Sequence, residues 1–306
     1  MNHTPIEWVK NPDGTSGYTL NSKTGCLNHT PDGLCCGGGF PCYAYRLANG
    51  RLKDRYLKNK NIAPIIDNQN LITDPSEEDA GDPFYPRFRI DDLLNLYRVQ
   101  KPLGIFLDDM SDWMGDYWPE RWTRLELKMM NDNPQHRIYT LTKQPQNLVK
   151  FSPFPPNCWV GVTATNNDMT FDAVNYLADV QANVRFLSFE PLLAPINLVQ
   201  LDVHFKGTID WLIIGACTGR KAEIKALCQR DPELTPMPWG KIWTAQPPFE
   251  WVAEIVQAAD KAGVKVFLKN NLKSLVFGDY VSGQCALDVG LLNWDGDLRQ
   301  EMPDAR

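Results

Sequence analysis

Four cysteines, Cys26, Cys35, Cys36 and Cys42, crowd between residues 26 and 42, while the rest of the chain's eight, Cys158, Cys217, Cys228 and Cys285, are dispersed. Thiolates are soft ligands suited to zinc or to iron–sulfur clusters, and clustered cysteines in a reducing compartment point to that use rather than to a disulfide framework. The loop reads Gly25-Cys26, then Leu34-Cys35-Cys36-Gly37-Gly38-Gly39-Phe40-Pro41-Cys42-Tyr43-Ala44. Three successive glycines let the backbone fold closely around a bulky group. Three cysteine ligands rather than four would leave one metal position open to a small molecule, the arrangement of a reactive site. The competing expectation is a structural zinc knot made of three of these cysteines and His29.

Such a loop needs a scaffold. Leu103–Leu107, Arg137–Leu141, Trp159–Val162, Phe186–Phe189, Trp211–Ile214 and Val264–Leu268 are short, largely apolar runs without alternation, which predicts strands buried on both faces of a parallel sheet. A first strand is expected around Tyr18–Thr24, directly before the cysteine loop. Between Pro248 and Ala262, Trp251, Val252, Ile255, Val256 and Ala259 form one apolar stripe at helical spacing, with Gly263 as its C-cap. Asn167 or Asp168 is expected to cap a helix that buries Phe171, Val174 and Leu177. This alternation predicts an α/β fold, a partial parallel (β/α) barrel of six or seven strands, in a single domain over residues 1–306. Within it lie the cysteine loop 25–43, an acidic Pro- and Gly-containing segment 73–83 read as a surface loop or disordered excursion, and an insertion 220–246 that could serve as a lid.

Polar groups follow every strand: Asp108-Asp109-Met110-Ser111-Asp112, Thr142-Lys143-Gln144, Thr163-Ala164-Thr165-Asn166, Glu190, Cys217-Thr218-Gly219 and Lys269-Asn270-Asn271. Parallel barrels assemble their active sites at the C-terminal ends of their strands, so these residues are expected to form one site.

With 43% hydrophobic residues the chain can bury a core, which excludes disorder throughout. A formal charge of −6 argues against coating nucleic acid or anionic membrane through a global field. No apolar run approaches the roughly 20 residues of a membrane span, and the first residues lack a signal-peptide core, so a soluble cytoplasmic protein with no membrane partner is expected. The stretch 46–60 nevertheless carries Arg46, Arg51, Lys53, Arg55, Lys58 and Lys60 against the single acid Asp54, enough to receive DNA, RNA or a nucleotide. Phe84-Tyr85-Pro86-Arg87-Phe88-Arg89 adds aromatic and basic groups that could stack a base. There is no phosphate-binding Gly-rich Lys loop, dinucleotide fingerprint or His-Glu-x-x-His motif.

A cysteine triad after the first strand of a parallel barrel resembles the radical S-adenosylmethionine (SAM) superfamily. More narrowly, the chain resembles a family first named from phage gene products thirty-seven and sixty-eight. The matching stretches include Thr24-Gly25-Cys26, Cys42-Tyr43-Ala44, Met110-Ser111-Asp112, Leu141-Thr142-Lys143, Leu187-Ser188-Phe189-Glu190-Pro191-Leu192, Phe267-Leu268-Lys269 and Glu301-Met302-Pro303. The resemblance implies a 4Fe–4S cluster on Cys26, Cys42 and one of the middle pair, Cys35 taken ahead of Cys36, with Tyr43 beside it, and SAM on the remaining iron. An external electron donor would drive cleavage of SAM to a 5′-deoxyadenosyl radical that abstracts hydrogen from a substrate. Ser111, Asp112, Thr163, Asn166 and Glu190 become the expected cofactor contacts, Asp112 for the methionyl ammonium. Lys143 and Lys269 would anchor a carboxylate or phosphate, and Cys217 would act as a hydrogen-atom donor or relay. The sequence departs from the superfamily in the longer spacing of its cysteines, in having no Gly-Gly-Glu after the second strand, and in Cys217 standing where relatives carry an acid. An iron–sulfur protein with a structural or redox-sensing role is a further alternative.

Overall fold

The computed structural model describes residues 1–66, 72–197, 205–277 and 283–304. The apolar runs become the strands of an eight-stranded, mostly parallel sheet in a mixed α/β fold. They are Asn2–His3 (β1), Tyr18–Leu20 (β2), Gly104–Leu107 (β3), Arg137–Thr142 (β4), Cys158–Thr163 (β5), Val184–Phe189 (β6), Trp211–Ile214 (β7) and Lys265–Leu268 (β8). Their order in the sheet is their order in the chain. β1 pairs with β2 antiparallel, whereas β2–β3, β3–β4, β6–β7 and β7–β8 are parallel. Every residue of β3, β5 and β7 is buried, as an unalternating apolar run requires.

Two compact units divide the chain. The first comprises Met1–Cys36, Cys42–Val160 and Val180–Asn183, and the second Gly37–Pro41, Gly161–Asp179 and Val184–Arg306. The principal helices are Tyr43–Ala48 (α1), Lys53–Leu57 (α2), Glu120–Asn131 (α3), Asn167–Ala178 (α4), Lys221–Arg230 (α5) and Phe249–Ala262 (α6). α6 buries its expected stripe and ends on Gly263, whose φ of 72° is the left-handed cap.

Several expectations are corrected. The first strand stops at Leu20, because Lys23–Thr24 turns away to pair antiparallel with Arg87–Phe88. That turn sends Lys23 inward to Glu126, 2.8 Å away, with both side chains fully buried. The cap of α4 is Asn166, which accepts from the Met169 amide (3.0 Å), and Phe171 is 51% exposed. The buried stripe is Thr170, Ala173, Val174 and Leu177, and Phe171 lies one residue off that periodicity. The basic stretch 46–60, whose place after the cysteine loop suggests a single helix, is instead carried by the two short helices α1 and α2 and their flanks. Segment 73–83 contains the helix Glu77–Gly81, started by a reciprocal capping box between Ser76 and Asp79. The insertion 220–246 consists of α5 and a hairpin, Thr235–Trp239 and Ile242–Gln246, whose second strand also pairs with Cys217–Gly219.

Candidate functional site

In the first unit, the ends of β2, β3 and β4 deliver the cysteine loop, Ser111–Asp112 and Lys143 to one place. Gly25 makes this possible: its φ is 92°, and a Cβ there would stand 2.4 Å from the Phe84 carbonyl oxygen. The Gly25 amide donates to the Met110 carbonyl (3.0 Å), and Gly25 bridges to Ser111 in parallel register. Cys26 and Ser111 are thereby held side by side. Cys42 is the N-cap of α1, its sulfur accepting from the Tyr45 amide (3.4 Å), and the Cys26 sulfur accepts from the Asn28 amide (3.3 Å). Both residues pack against the apolar cluster of Ala44, Ala48, Tyr56, Phe84 and Met110.

Lys143 sits at the centre of this chemistry. Burial works to lower its pKa, yet the combined charges of Cys35, Asp112, Cys42 and Cys26 hold it above the ordinary lysine value. Cys36, by contrast, is exposed, and its amide is engaged by the Asn28 carbonyl (3.1 Å). Burial, with the Asp112 charge added, pushes the Cys26 thiol up to about 12, and burial also raises Cys42. Cys26 and Cys42 therefore hold their protons, and their ionisation needs a partner such as a metal. Asp112 is fixed by the Thr142 hydroxyl on Oδ1 and by the Lys143 amide on Oδ2 (3.0 Å). A carboxylate has about four acceptor positions, so each oxygen keeps one. The Tyr117 hydroxyl is buried and lies against Cys26 without completing a hydrogen bond of ordinary geometry. The ring fits there because residue 115 is glycine: a Cβ would stand 2.3 Å from Tyr117 Cζ.

The donor set fits an iron–sulfur cluster. Cys26 and Cys42 pack on one apolar cluster, their sulfurs accept backbone N–H bonds of the kind that tune cluster thiolates, and a buried phenol stands against Cys26. Among the described residues no three His, Cys, Asp or Glu side chains stand where one metal ion could take them. His29 turns its Nδ1 to the Thr30 carbonyl (2.9 Å) and packs its ring on Tyr45 and Phe84. Tyr43 donates from its hydroxyl to the Asp109 carbonyl.

In the second unit, Glu190 and Lys269 form an ion pair, and a Cβ at Gly215 would press on the Lys269 chain at 3.0 Å. Thr163 is buried at the end of β5, and Asn166 serves as the α4 cap. Burial first, then the charges of Cys228, Glu223 and Glu190, pushes the Cys217 thiol up to about 12. Gly37–Pro41 is held by the Thr165 hydroxyl donating to the Gly37 carbonyl (3.0 Å). Arg230 donates to the carbonyls of Gly39 (2.7 Å) and Gly38 (3.1 Å). Thr142 and Thr165 belong to the strand-end residues expected from sequence, whereas Tyr117 and Arg230 are not legible as site residues there. Only Tyr117 carried a signal, the Gly115 that follows the Asp112 loop.

Among the described residues no helix is long and apolar enough to cross a membrane. No curated protein matches the chain in sequence. Solved structures of spore photoproduct lyase variants are similar to it. A cysteine-to-serine variant has a TM-score of 0.48 at 10% identity, over 88% of this chain and 80% of that one. A cysteine-to-alanine variant with dinucleoside spore photoproduct has a TM-score of 0.46 at 10% identity, over 81% and 75%. A double variant with bound AdoMet and dinucleoside spore photoproduct has a TM-score of 0.41 at 11% identity, over 90% and 78%. Likeness at that level says nothing about the reaction. The model of the DUF5131 family, described as a protein of unknown function, matches residues 3–226, and the chain belongs to that family.

Proposed function

We propose that the chain is an iron–sulfur enzyme of the radical SAM kind, on a sheet that is a partial barrel, acting on a phosphate-bearing substrate such as a nucleic acid or nucleotide. The observation that carries this reading is that Cys26 and Cys42 pack on one apolar cluster with both sulfurs accepting backbone amides, while Cys35 is buried and Cys36 exposed. When bound on the three thiolates, a 4Fe–4S cluster supplies the electron that cleaves SAM reductively, and it draws that electron from an external donor. The chain's own residues do the rest. The Asn28 and Tyr45 amides hold the sulfurs in place, and Lys143 offsets the negative charge of three thiolates. Asp112, pinned by Thr142 and the Lys143 amide, presents its remaining acceptor positions to an ammonium, with Ser111 beside it. Thr163, Asn166 and Glu190 are the proposed further cofactor contacts and Lys269 a substrate anchor. Cys217 suits a hydrogen-atom donor because its burial keeps the S–H intact at neutral pH. The basic stretch 46–60 favours a phosphate-bearing substrate.

Anaerobic reconstitution tests the proposal, with iron and sulfide counted and 5′-deoxyadenosine assayed after addition of reductant and SAM. About four irons per chain with cysteine-dependent deoxyadenosine is the expected result. Stoichiometric zinc with no stable iron site would overturn it, and four irons without SAM cleavage in the presence of nucleic acid would leave a structural or sensing cluster.

A further inference from the structure

The first unit encloses a cavity of about 400 Å³ that the cysteine chemistry does not use. Its wall carries three guanidinium groups, Arg51, Arg55 and Arg89, and two carboxyls, Asp92 and Asp109. Arg55 and Arg89 share Asp92, at 3.7 and 3.9 Å, the outer limit of an ion pair. Arg51 has no acidic partner among the described residues. Arg89 is positioned from behind: its Nη2 donates to the Arg55 carbonyl (2.9 Å) and its guanidinium lies over the Tyr56 ring at 5.5 Å. Its Nε, however, has no hydrogen-bond partner. Arg55 and Arg89 thus share one carboxylate with Arg51 on the same wall, and against the two carboxyls the three guanidiniums leave a positive surplus that a phosphate would balance.

The remaining carboxyl faces a different requirement. Asn21 donates from Nδ2 to Asp109 Oδ1 (2.7 Å) and accepts from the Met110 amide (3.0 Å), which commits Asn21 to structure. The other oxygen of Asp109 is left without a side-chain partner among the described residues. Leu47, Leu52 and Met110 supply apolar wall, and the same side chains belong to the cluster that packs Cys26 and Cys42. The volume is that of a small-molecule site.

We infer that this cavity binds a nucleoside monophosphate, its phosphate on Arg51, Arg55 and Arg89 and a hydroxyl or ring N–H on Asp109. Guanidinium forks match phosphate oxygens in pairs, and a carboxyl with one spent oxygen accepts a single directed donor. This deepens the phosphate-bearing-substrate part of the proposed function, but its test needs neither iron nor SAM.

Titration calorimetry on the full chain would compare AMP, GMP, CMP and UMP with adenosine and with inorganic phosphate. At least one monophosphate is expected to bind about tenfold or more tightly than either phosphate or its nucleoside. Arg51 and Arg55 are exposed, so the double variant Arg51→Ala/Arg55→Ala should fold and lose about tenfold or more in affinity. Asp92→Asn, which releases Arg55 and Arg89 from their carboxylate, should tighten binding, a gain that misfolding cannot imitate. Asp109→Asn should weaken the monophosphate and leave phosphate unchanged. Phosphate binding as tightly as every monophosphate would overturn the inference, as would no saturable binding or indifference to the arginine variants. Deoxyadenosine formation without monophosphate binding would sink this inference alone. Monophosphate binding by a chain that never cleaves SAM would sink the proposed function alone.

Discussion

Lys23 and Lys143 both lie among acids or thiols in the first unit, and the fold uses them in opposite ways. Lys23 is fully buried, and its ammonium reaches the Trp113 carbonyl (3.0 Å), the Thr123 hydroxyl (2.8 Å) and Glu126 (2.8 Å), which spends all three donors. Glu126 in turn accepts from the Trp113 indole (3.0 Å) and Ser22 (2.8 Å). Asp108, at a left-handed φ of 61°, stands beside them, its carboxyl raised well above the usual range by burial and then by Glu126. Burial disfavours a second negative charge beside Glu126, and Asp108 Oδ2 is left without a hydrogen-bond partner. Lys143 is only half-buried and lies within electrostatic reach of Asp112 and of Cys26 and Cys42, whose thiols burial raises. A satisfied buried charge stabilises architecture, whereas a charge among groups still holding their protons is placed for something that will remove them.

The comparison breaks first at the cysteines. Cys26→Ala or Cys42→Ala should reduce reconstituted iron from about four per chain to near zero, measured by colorimetric iron with circular dichroism to confirm the fold; retained iron would mean that the thiols around Lys143 are not the ligands. Next in size is Lys23→Met, which strands Glu126 and should cost about 3–5 kcal/mol in denaturant unfolding. A loss below about 1 kcal/mol would place Lys23 with ordinary surface lysines.

Asp109 isolates burial without a lysine. Burial lifts its carboxyl to about 6, against the hydrogen bond from Asn21. A raised folded-state pKa means that its contribution to stability is complete below the unfolded value near 3.8 and is lost as pH rises through about 6. Wild-type unfolding free energy should therefore fall across that window, by no more than about 3 kcal/mol, and Asp109→Asn should flatten the slope. A slope that the substitution leaves untouched would assign the loss to other groups.

The smallest effect on stability belongs to Lys143→Met, expected within about 1 kcal/mol of wild type because the side chain is half-buried. Its effect should appear instead in the cluster, as a more negative reduction potential in a spectroelectrochemical titration, since a positive charge near the thiolates is gone. An unchanged potential together with a large loss of stability would make the two lysines equivalent.

Much of the sheet was legible because a strand buried on both faces must read as an unbroken apolar run, as Trp211–Ile214 does. The cysteine loop was legible because ligand chemistry resides in residue type. What could not be read depends on partners far along the chain. Arg230 grips Gly38 and Gly39 from the end of an insertion helix, and neither composition nor period marks it. The end of the first strand was misplaced for a related reason: Lys23 and Thr24 leave it because Lys23 is buried against the distant Glu126. Phe171 misled through size, since a large aromatic next to a helical stripe looks like part of it.

Cys42 begins α1 with the same sulfur that is proposed to hold iron. Serine is among the better residues for starting a helix, so Cys42→Ser would leave the fold with a start at least as good. A lineage that drifted to serine there would keep its shape and its solubility and pass any test of folding while having lost its reaction. If Cys42 holds iron as proposed, selection for a stable chain would not preserve this cysteine, and only selection for the metal would.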